Sequence, residues 1–417
     1  MAGLECSCLR LVYSCSLSHQ PSRILFGALS LPRIIIVSLI VDEHRHYLED
    51  QVRLTAFRRA IQESVKPGAV VVDLGSGTGI LGLLACQAGA KRVYSIEESS
   101  LIELARDICQ ANGFADRIRF IKGLSTRVSL PEQADVILAD QIGHFGFEAG
   151  LFDYFSDARR RFLKPSGVTI PQCITFCIAP VEHGPLWQQI EFWNGSPAEF
   201  DVRPARALAS NTGYPVKLLP EQLLGSSVEP FSVDPSTSGS RPLHFGCTLP
   251  ITRTGTLHGL GCWFVAQLSP SVTMSNSPLS EQRVDRRNVF FPLDRPVPVQ
   301  AGDSVTVTMQ ILPVQIAVTW TVAIHKHGQS ATEPIRFTHS TLKGMLIARE
   351  DLQRTHPAFV PTLSPWGIAR LTVLTLCDGR RPLAQIEQEL LRRHTDLFRS
   401  LSDAATFVAE VVTRYST

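Results

Sequence analysis

The stretch Asp73-Leu74-Gly75-Ser76-Gly77-Thr78-Gly79 follows the apolar run Ala69-Val70-Val71-Val72 and leads into Ile80 to Gln87. A buried strand, a glycine loop and a helix in that order form the turn at which α/β proteins hold nucleotide-like ligands. Two ligands compete for it. Gly77-Thr78-Gly79-Ile80-Leu81-Gly82 fits G-x-G-x-x-G, and Glu97 lies twenty residues beyond Gly77, a pattern that admits a dinucleotide-dependent dehydrogenase. Asp73 argues the other way. A carboxylate at the strand end would repel a pyrophosphate but could organise the amino-acid end of a sulfonium cofactor. The tighter Gly75-x-Gly77-x-Gly79 spacing lets backbone approach a ligand without phosphates. No later segment offers a hydride-acceptor site. The expected ligand is therefore S-adenosyl-L-methionine, cradled by Asp73, Gly75, Gly77 and Gly79, with Glu97 on the ribose hydroxyls. A glycine turn that binds nothing is the bland alternative.

Outward from the loop, Leu54, Phe57, Ile61 and Val65 recur at helical spacing until Pro67-Gly68. Val93 to Ile96, Ile118 to Ile121 and Val136 to Leu138 read as further strands, and Leu101, Leu104, Ala105 and Ile108 face one side of a helix. This alternation predicts an α/β Rossmann-like class I methyltransferase domain over residues 42–170, its parallel sheet covered on both faces. Residues 171–349 change to short strand-like runs, among them Ile174-Thr175-Phe176, Val216-Lys217-Leu218, Cys262 to Val265 and Val305 to Thr308. An antiparallel β-barrel or sandwich is expected there, serving substrate binding or dimerisation, with Ser236 to Ser240 as an exposed loop. Residues 352–417 turn helical, with apolar stripes at Leu383, Ile386 and Leu390 and at Phe407, Val408, Val411 and Val412.

The 417 residues, 44% of them hydrophobic, can bury two or three cores. A formal net charge of +2 provides no field to gather nucleic acid or an anionic membrane, so neither is expected as a partner. The ten cysteines show no zinc-site spacing; no metal is expected, and the thiols fit a reducing, cytoplasmic compartment. The apolar run Ile24 to Val41 is broken by Pro32 and Arg33, which suits neither a membrane span nor a signal peptide. Residues 1–41 are read as a disordered or misassigned extension, with the native chain beginning near Val41. The preference for Arg over Lys hints at a GC-rich genome, and the leading expectation is a bacterial protein.

Tyr47-Leu48-Glu49-Asp50-Gln51-Val52-Arg53, followed by the glycine loop and Glu97, resembles the catalytic core of protein arginine methyltransferases. The resemblance runs from about Asp42 to Ile324. It implies that Arg53 pairs with the cofactor carboxylate, that His44 helps close the site and that Gly75 contacts the methionine portion. In Lys122-Gly123-Leu124-Ser125-Thr126, Thr126 stands where the family places an adenine-side glutamate. The family's two acceptor-holding acids match Asp140 and Glu148, in Asp140-Gln141-Ile142-Gly143-His144-Phe145-Gly146-Phe147-Glu148. Paired carboxylates can hold a guanidinium fork and draw its positive charge away from the attacking nitrogen. His144 is a candidate proton acceptor. Three departures stand out: the first acid is Asp, the spacing is one residue tighter, and Arg283 to Phe291 replaces the family's Thr-His-Trp loop. Residues from Phe200 to Leu219 could supply the arm of a homodimer.

Cys377-Asp378-Gly379-Arg380-Arg381-Pro382-Leu383-Ala384-Gln385-Ile386 resembles PqqD-like peptide-binding modules, which are small and winged-helix-like. That resemblance implies a tail that recruits a peptide to the methyltransferase. The leading expectation is methyl transfer to a nitrogen of a peptide or protein side chain. A small-molecule biosynthetic methyltransferase and a non-catalytic S-adenosylmethionine-binding interaction protein remain alternatives.

Overall fold

The computed structural model describes residues 31–239, 241–313, 316–328 and 333–416; most of the expected N-terminal extension lies outside them. Two compact units are present, Val37–Leu346 and a second that includes Ile347–Thr417. The first begins in helix α1 (Leu31–Glu49), which breaks at Asp50 and resumes as α2 (Gln51–Ser64). Asp50 causes the restart: its Oδ1 accepts from Arg53 N at 2.9 Å, an N-cap that satisfies one of the orphan donors of the new helix.

Strand β1 (Val70–Leu74) is followed by α3 (Ile80–Gln87), β2 (Arg92–Glu97), α4 (Leu101–Ala111), β3 (Ile118–Lys122), β4 (Ala134–Leu138), α5 (Leu151–Phe162) and β5 (Leu163–Ile170). These five strands form one parallel sheet in the order β3-β2-β1-β4-β5. All five residues of β1 are buried, as a central strand covered on both faces requires. The chain reverses its direction of travel across the sheet between β1 and β4. At such a switch point the loops leaving two neighbouring strands part and open a crevice, where α/β proteins bind ligands.

The β region contains β6 (Cys173–Val181), α6 (Gly184–Glu191), α7 (Arg206–Ala209), β7 (Tyr214–Val216), β8 (Val228–Val233), α8 (Pro235–Ser238), β9 (Leu243–Pro250), β10 (Gly255–Ser269), β11 (Val272–Ser275), β12 (Asn288–Val299), β13 (Ser304–Leu312), β14 (Ala317–His325) and β15 (Ile335–Ser340). They make two antiparallel sheets. One has the order β7-β12-β10-β6-β8 with β11 on β10, and the other runs β15-β14-β13-β9. One hydrophobic core continues from Phe57 and Ile61 of α2 through the parallel sheet to Phe264 and Trp320, so the β region packs onto the α/β region without a polar seam. The expected loop at Ser236 to Ser240 is corrected in part: Ser236 is buried in α8, capped by Asp234 and bonded to Arg159 at 3.0 Å, while Ser240 lies outside the described residues.

The C-terminal unit holds α9 (Arg349–Arg354), α10 (Pro365–Leu376), α11 (Leu383–Arg393) and α12 (Leu401–Tyr415). Ser364 and Ser400 cap α10 and α12 through their hydroxyls. Its own core joins Val373, Ile386, Leu390, Phe398, Phe407 and Val408. Its described residues are helices and connecting turns, with no strand. Among the described residues no helix is long and apolar enough to cross a membrane.

Candidate active site

The glycine loop leaves β1 in a conformation that side chains resist. Gly75 and Gly77 have φ of 62° and 54°, and a Cβ at either would meet Gln141 Nε2 at 2.4 Å or His44 Cε1 at 2.6 Å. His44 and Gln141 therefore close over the loop from two sides. At the end of β2, Glu97 accepts from Gly77 N at 3.0 Å and from Ser99 N at 2.9 Å, so its carboxylate is oriented before any ligand arrives. Asp73 has one carboxyl oxygen engaged by backbone. Its Oδ2 accepts from Gly82 N at 3.0 Å, tying the strand end to α3, while its Oδ1 is buried without a partner. Burial pushes this carboxyl up to about 8, offset only in part by the Gly82 N–H. Gly79, at φ 77°, starts α3 against Ala105 and Phe120. Thr126 is exposed on a 3-10 turn after β3.

Asp140, just past the end of β4, has a side chain only 10% exposed between two guanidinium groups. Arg53 Nε bonds its Oδ2 in a very short contact, and Arg286 Nη2 lies 3.1 Å from Oδ2 and 3.2 Å from Oδ1. Burial alone would raise this carboxyl, but Arg286 and Arg53 outweigh it and hold it below the usual aspartate value. Glu148 ends the same loop in other company. Its carboxylate folds back under Gly143 and accepts from the N–H groups of His144 and Phe147, with Phe145 N at 3.5 Å. Burial raises it above the usual glutamate value, and those N–H donors offset only part of the effect. The two acids are thus on one loop but differently engaged, Asp140 by cations and Glu148 by backbone.

The aromatic residues of the loop hold it in place. Phe147 stacks on Phe152 and Phe231 at centroid distances of 5.2 and 5.7 Å, and Phe145 meets Phe176 and Phe291 edge-on. His144 is anchored through its carbonyl, which accepts from Asn276 Nδ2 at 2.6 Å. Burial, with Arg286 and Arg287 nearby, drives the His144 ring down to about 4, leaving it neutral with an unpartnered Nδ1. Such a ring accepts hydrogen bonds but is a weak base.

Four residues of the site have no role in the sequence reading. Gln141 and Asn276 carry no local pattern. Asp50 is legible as a helix cap, yet its second oxygen also accepts from Asp285 N at 2.8 Å and so fastens the β11–β12 connection to the start of α2. Arg286 lies in the segment that departs from the expected Thr-His-Trp loop.

Arg53 carries a cation, paired here with Asp140, Glu97 offers acceptors for hydroxyls, and Ser76 Oγ is buried without a partner in the tight glycine loop. These groups suit an amino-acid and ribose-bearing ligand. Among the described residues no group of three or more His, Cys, Asp or Glu is placed to hold a metal ion.

Comparison with known proteins decides the family. Residues 173–320 match the model for the arginine methyltransferase oligomerization subdomain, and residues 56–170 match that for ribosomal protein L11 methyltransferase. Protein arginine N-methyltransferase 1 of Dictyostelium discoideum is 30% identical over 279 residues, covering 65% of this chain and 81% of that protein. The chain belongs to the protein arginine methyltransferase family. The arginine N(omega)-methyltransferase of Streptomyces achromogenes subsp. streptozoticus is also 30% identical, over 64% of this chain and 75% of its own length. The same fold occurs in the Trypanosoma brucei PRMT1 enzyme–prozyme heterotetrameric complex with AdoHcy, at a TM-score of 0.64 and 22% identity over 71% of this chain and 97% of that one. As a family member, the protein is an S-adenosylmethionine-dependent methyltransferase.

Proposed function

We propose that this arginine methyltransferase family protein methylates a guanidinium nitrogen of a peptide or protein arginine, with Asp140 holding the acceptor. The observation that carries the reading is Asp140 itself, a desolvated carboxylate at the switch point that already binds guanidinium groups. The cofactor supplies an electrophilic methyl group on a sulfonium. Arg53 binds its carboxylate and Glu97 its ribose, while His44 and Gln141 cover the glycine loop and keep water from it. Asp140, ionised at neutral pH, orients the acceptor fork and draws positive charge from the attacking nitrogen. Glu148 shapes the loop around Asp140 and adds negative potential from below. His144 Nδ1 serves as a hydrogen-bond acceptor rather than as a strong base.

The finer partners follow the same reading. The C-terminal unit recruits the peptide in the manner of a PqqD-like module, and the segment from Phe200 to Leu219, within the matched oligomerization subdomain, builds a homodimer. The setting is a bacterial cytoplasm. Transfer of labelled methyl from S-adenosylmethionine to arginine peptides tests the acceptor, with Asp140→Asn and Glu148→Gln alongside. Label on arginine, lost in Asp140→Asn with cofactor binding kept, is the expected result. Label found only on metabolites would replace the reading with a small-molecule acceptor.

A further inference from the structure

Arg286 reaches Asp140 from the connection between β11 and β12, 146 residues away in sequence. Its side chain is only 12% exposed. Nη1 adds a long contact to Gly143 O at 3.4 Å, and the guanidinium carbon sits 5.9 Å from the centre of the Phe264 ring. The backbone around it is tied down. Asp285 N donates to Asp50, Arg286 N donates to Val284 O at 2.8 Å, and Arg287 O accepts from Asn276 at 2.7 Å. A planar guanidinium of the chain itself therefore occupies the carboxylate that the functional reading assigns to the acceptor.

We infer that Arg286 is an internal competitor of the acceptor guanidinium and sets the acceptor specificity of the site. The inference rests on the arginine-acceptor reading above and deepens it. An incoming group must leave Asp140 as well satisfied as Arg286 does, since with Arg286 gone this desolvated carboxylate keeps only Arg53, which leaves its Oδ1 without a partner. Another guanidinium can make that exchange because it presents the same fork. A lysine ammonium is a point charge without the fork, and a neutral amine brings no charge, so both are rejected. A cleft beside Arg286 can receive the displaced side chain. Arg286 lines this cleft of about 200 Å³ with Lys217, Asn276, Arg283, Asp285 and Asn288. The Asp285 carboxylate there, 2.6 Å from Lys217, can take up the released cation.

Calorimetric binding of arginamide to the full chain saturated with S-adenosylhomocysteine tests this without requiring turnover. Arg286→Gln should bind arginamide at least about tenfold more tightly than wild type. Arg286→Lys, which keeps a charge but loses the fork, should fall between them and decides the matter if the Gln variant does not fold. Equal affinities in wild type and Arg286→Lys, or weaker binding in Arg286→Gln, would overturn the inference. Steady-state methylation of an arginine peptide separates this from failure of the parent reading. A lowered KM at nearly constant kcat in Arg286→Gln supports competition. A lowered kcat at constant KM would instead make Arg286 a positioning residue for Asp140. Wild-type chain that transfers no methyl to arginine, while arginamide still binds more tightly to Arg286→Gln, would sink the parent reading alone.

Discussion

Gly77 N donates to Glu97 Oε2 across 3.0 Å, so the loop leaving the first strand of the parallel sheet holds the acid that ends the second. The bond orients Glu97 at no entropic expense on ligand binding. Replacing Glu97 by Gln should remove about 1.5–3 kcal/mol of charge-assisted bonding, or roughly tenfold to hundredfold in cofactor affinity. Calorimetric titration with S-adenosylmethionine measures it, and unchanged affinity would deny Glu97 its ribose role.

Gly75 combines a φ of 62° with Gln141 Nε2 at 2.4 Å from where a Cβ would stand. Gly75→Ala should therefore destabilise the fold by about 1–3 kcal/mol, from backbone strain plus the clash. Adding Gln141→Ala should recover the clash but not the strain. Denaturant midpoints of the single and double variants separate the two contributions.

Asp73 makes the ligand-free protein sensitive to alkali. Its folded carboxyl, raised by burial to about 8, stays protonated where the unfolded acid, near 3.8, is ionised. The stability that this residue contributes is complete below about pH 4 and drains as pH rises to about 8. Asp73→Asn keeps an acceptor for Gly82 N and should raise the melting temperature by several degrees at pH 8, with little change near pH 4. Parallel melting curves at every pH would refute it.

His144 has the opposite window. Its ring, lowered by burial to about 4 from an ordinary 6.5, stays neutral while the unfolded imidazole takes up a proton. Stability should fall as pH drops from 6.5 to 4 and should fall less in His144→Gln. Thermal melts between pH 7 and 4.5 would show the difference, and identical slopes would mean that the ring is protonated in place.

The C-terminal unit has its own core, in which Val373 of α10 and Leu390 of α11 join Phe407 and Val408 of α12. Deleting residues 352–417 should leave S-adenosylmethionine affinity unchanged and raise the KM for a long peptide substrate, while a short arginine peptide is turned over as before. Equal losses with both substrates would assign the unit a role in stability instead of recruitment.

The glycine loop and the alternation of strands and helices were legible because their signals are local, whereas Arg53 was singled out only by resemblance to a family. Apolar periodicity, cap residues and backbone that needs glycine are properties of a few neighbouring residues, so the parallel sheet follows from reading along the chain; its strand order and switch point belong to the tertiary structure. Which charges meet could not be read in that way. Asp140 is joined to Arg53 across 87 residues and to Arg286 across 146, and Glu148 is turned into its own backbone. The Arg53 pairing arises only when α2 packs beside the end of β4, and the Arg286 pairing only when the β region closes onto the α/β region. A carboxylate losing its hydration there takes the cation that packing brings nearest, and sequence spacing carries no record of that choice.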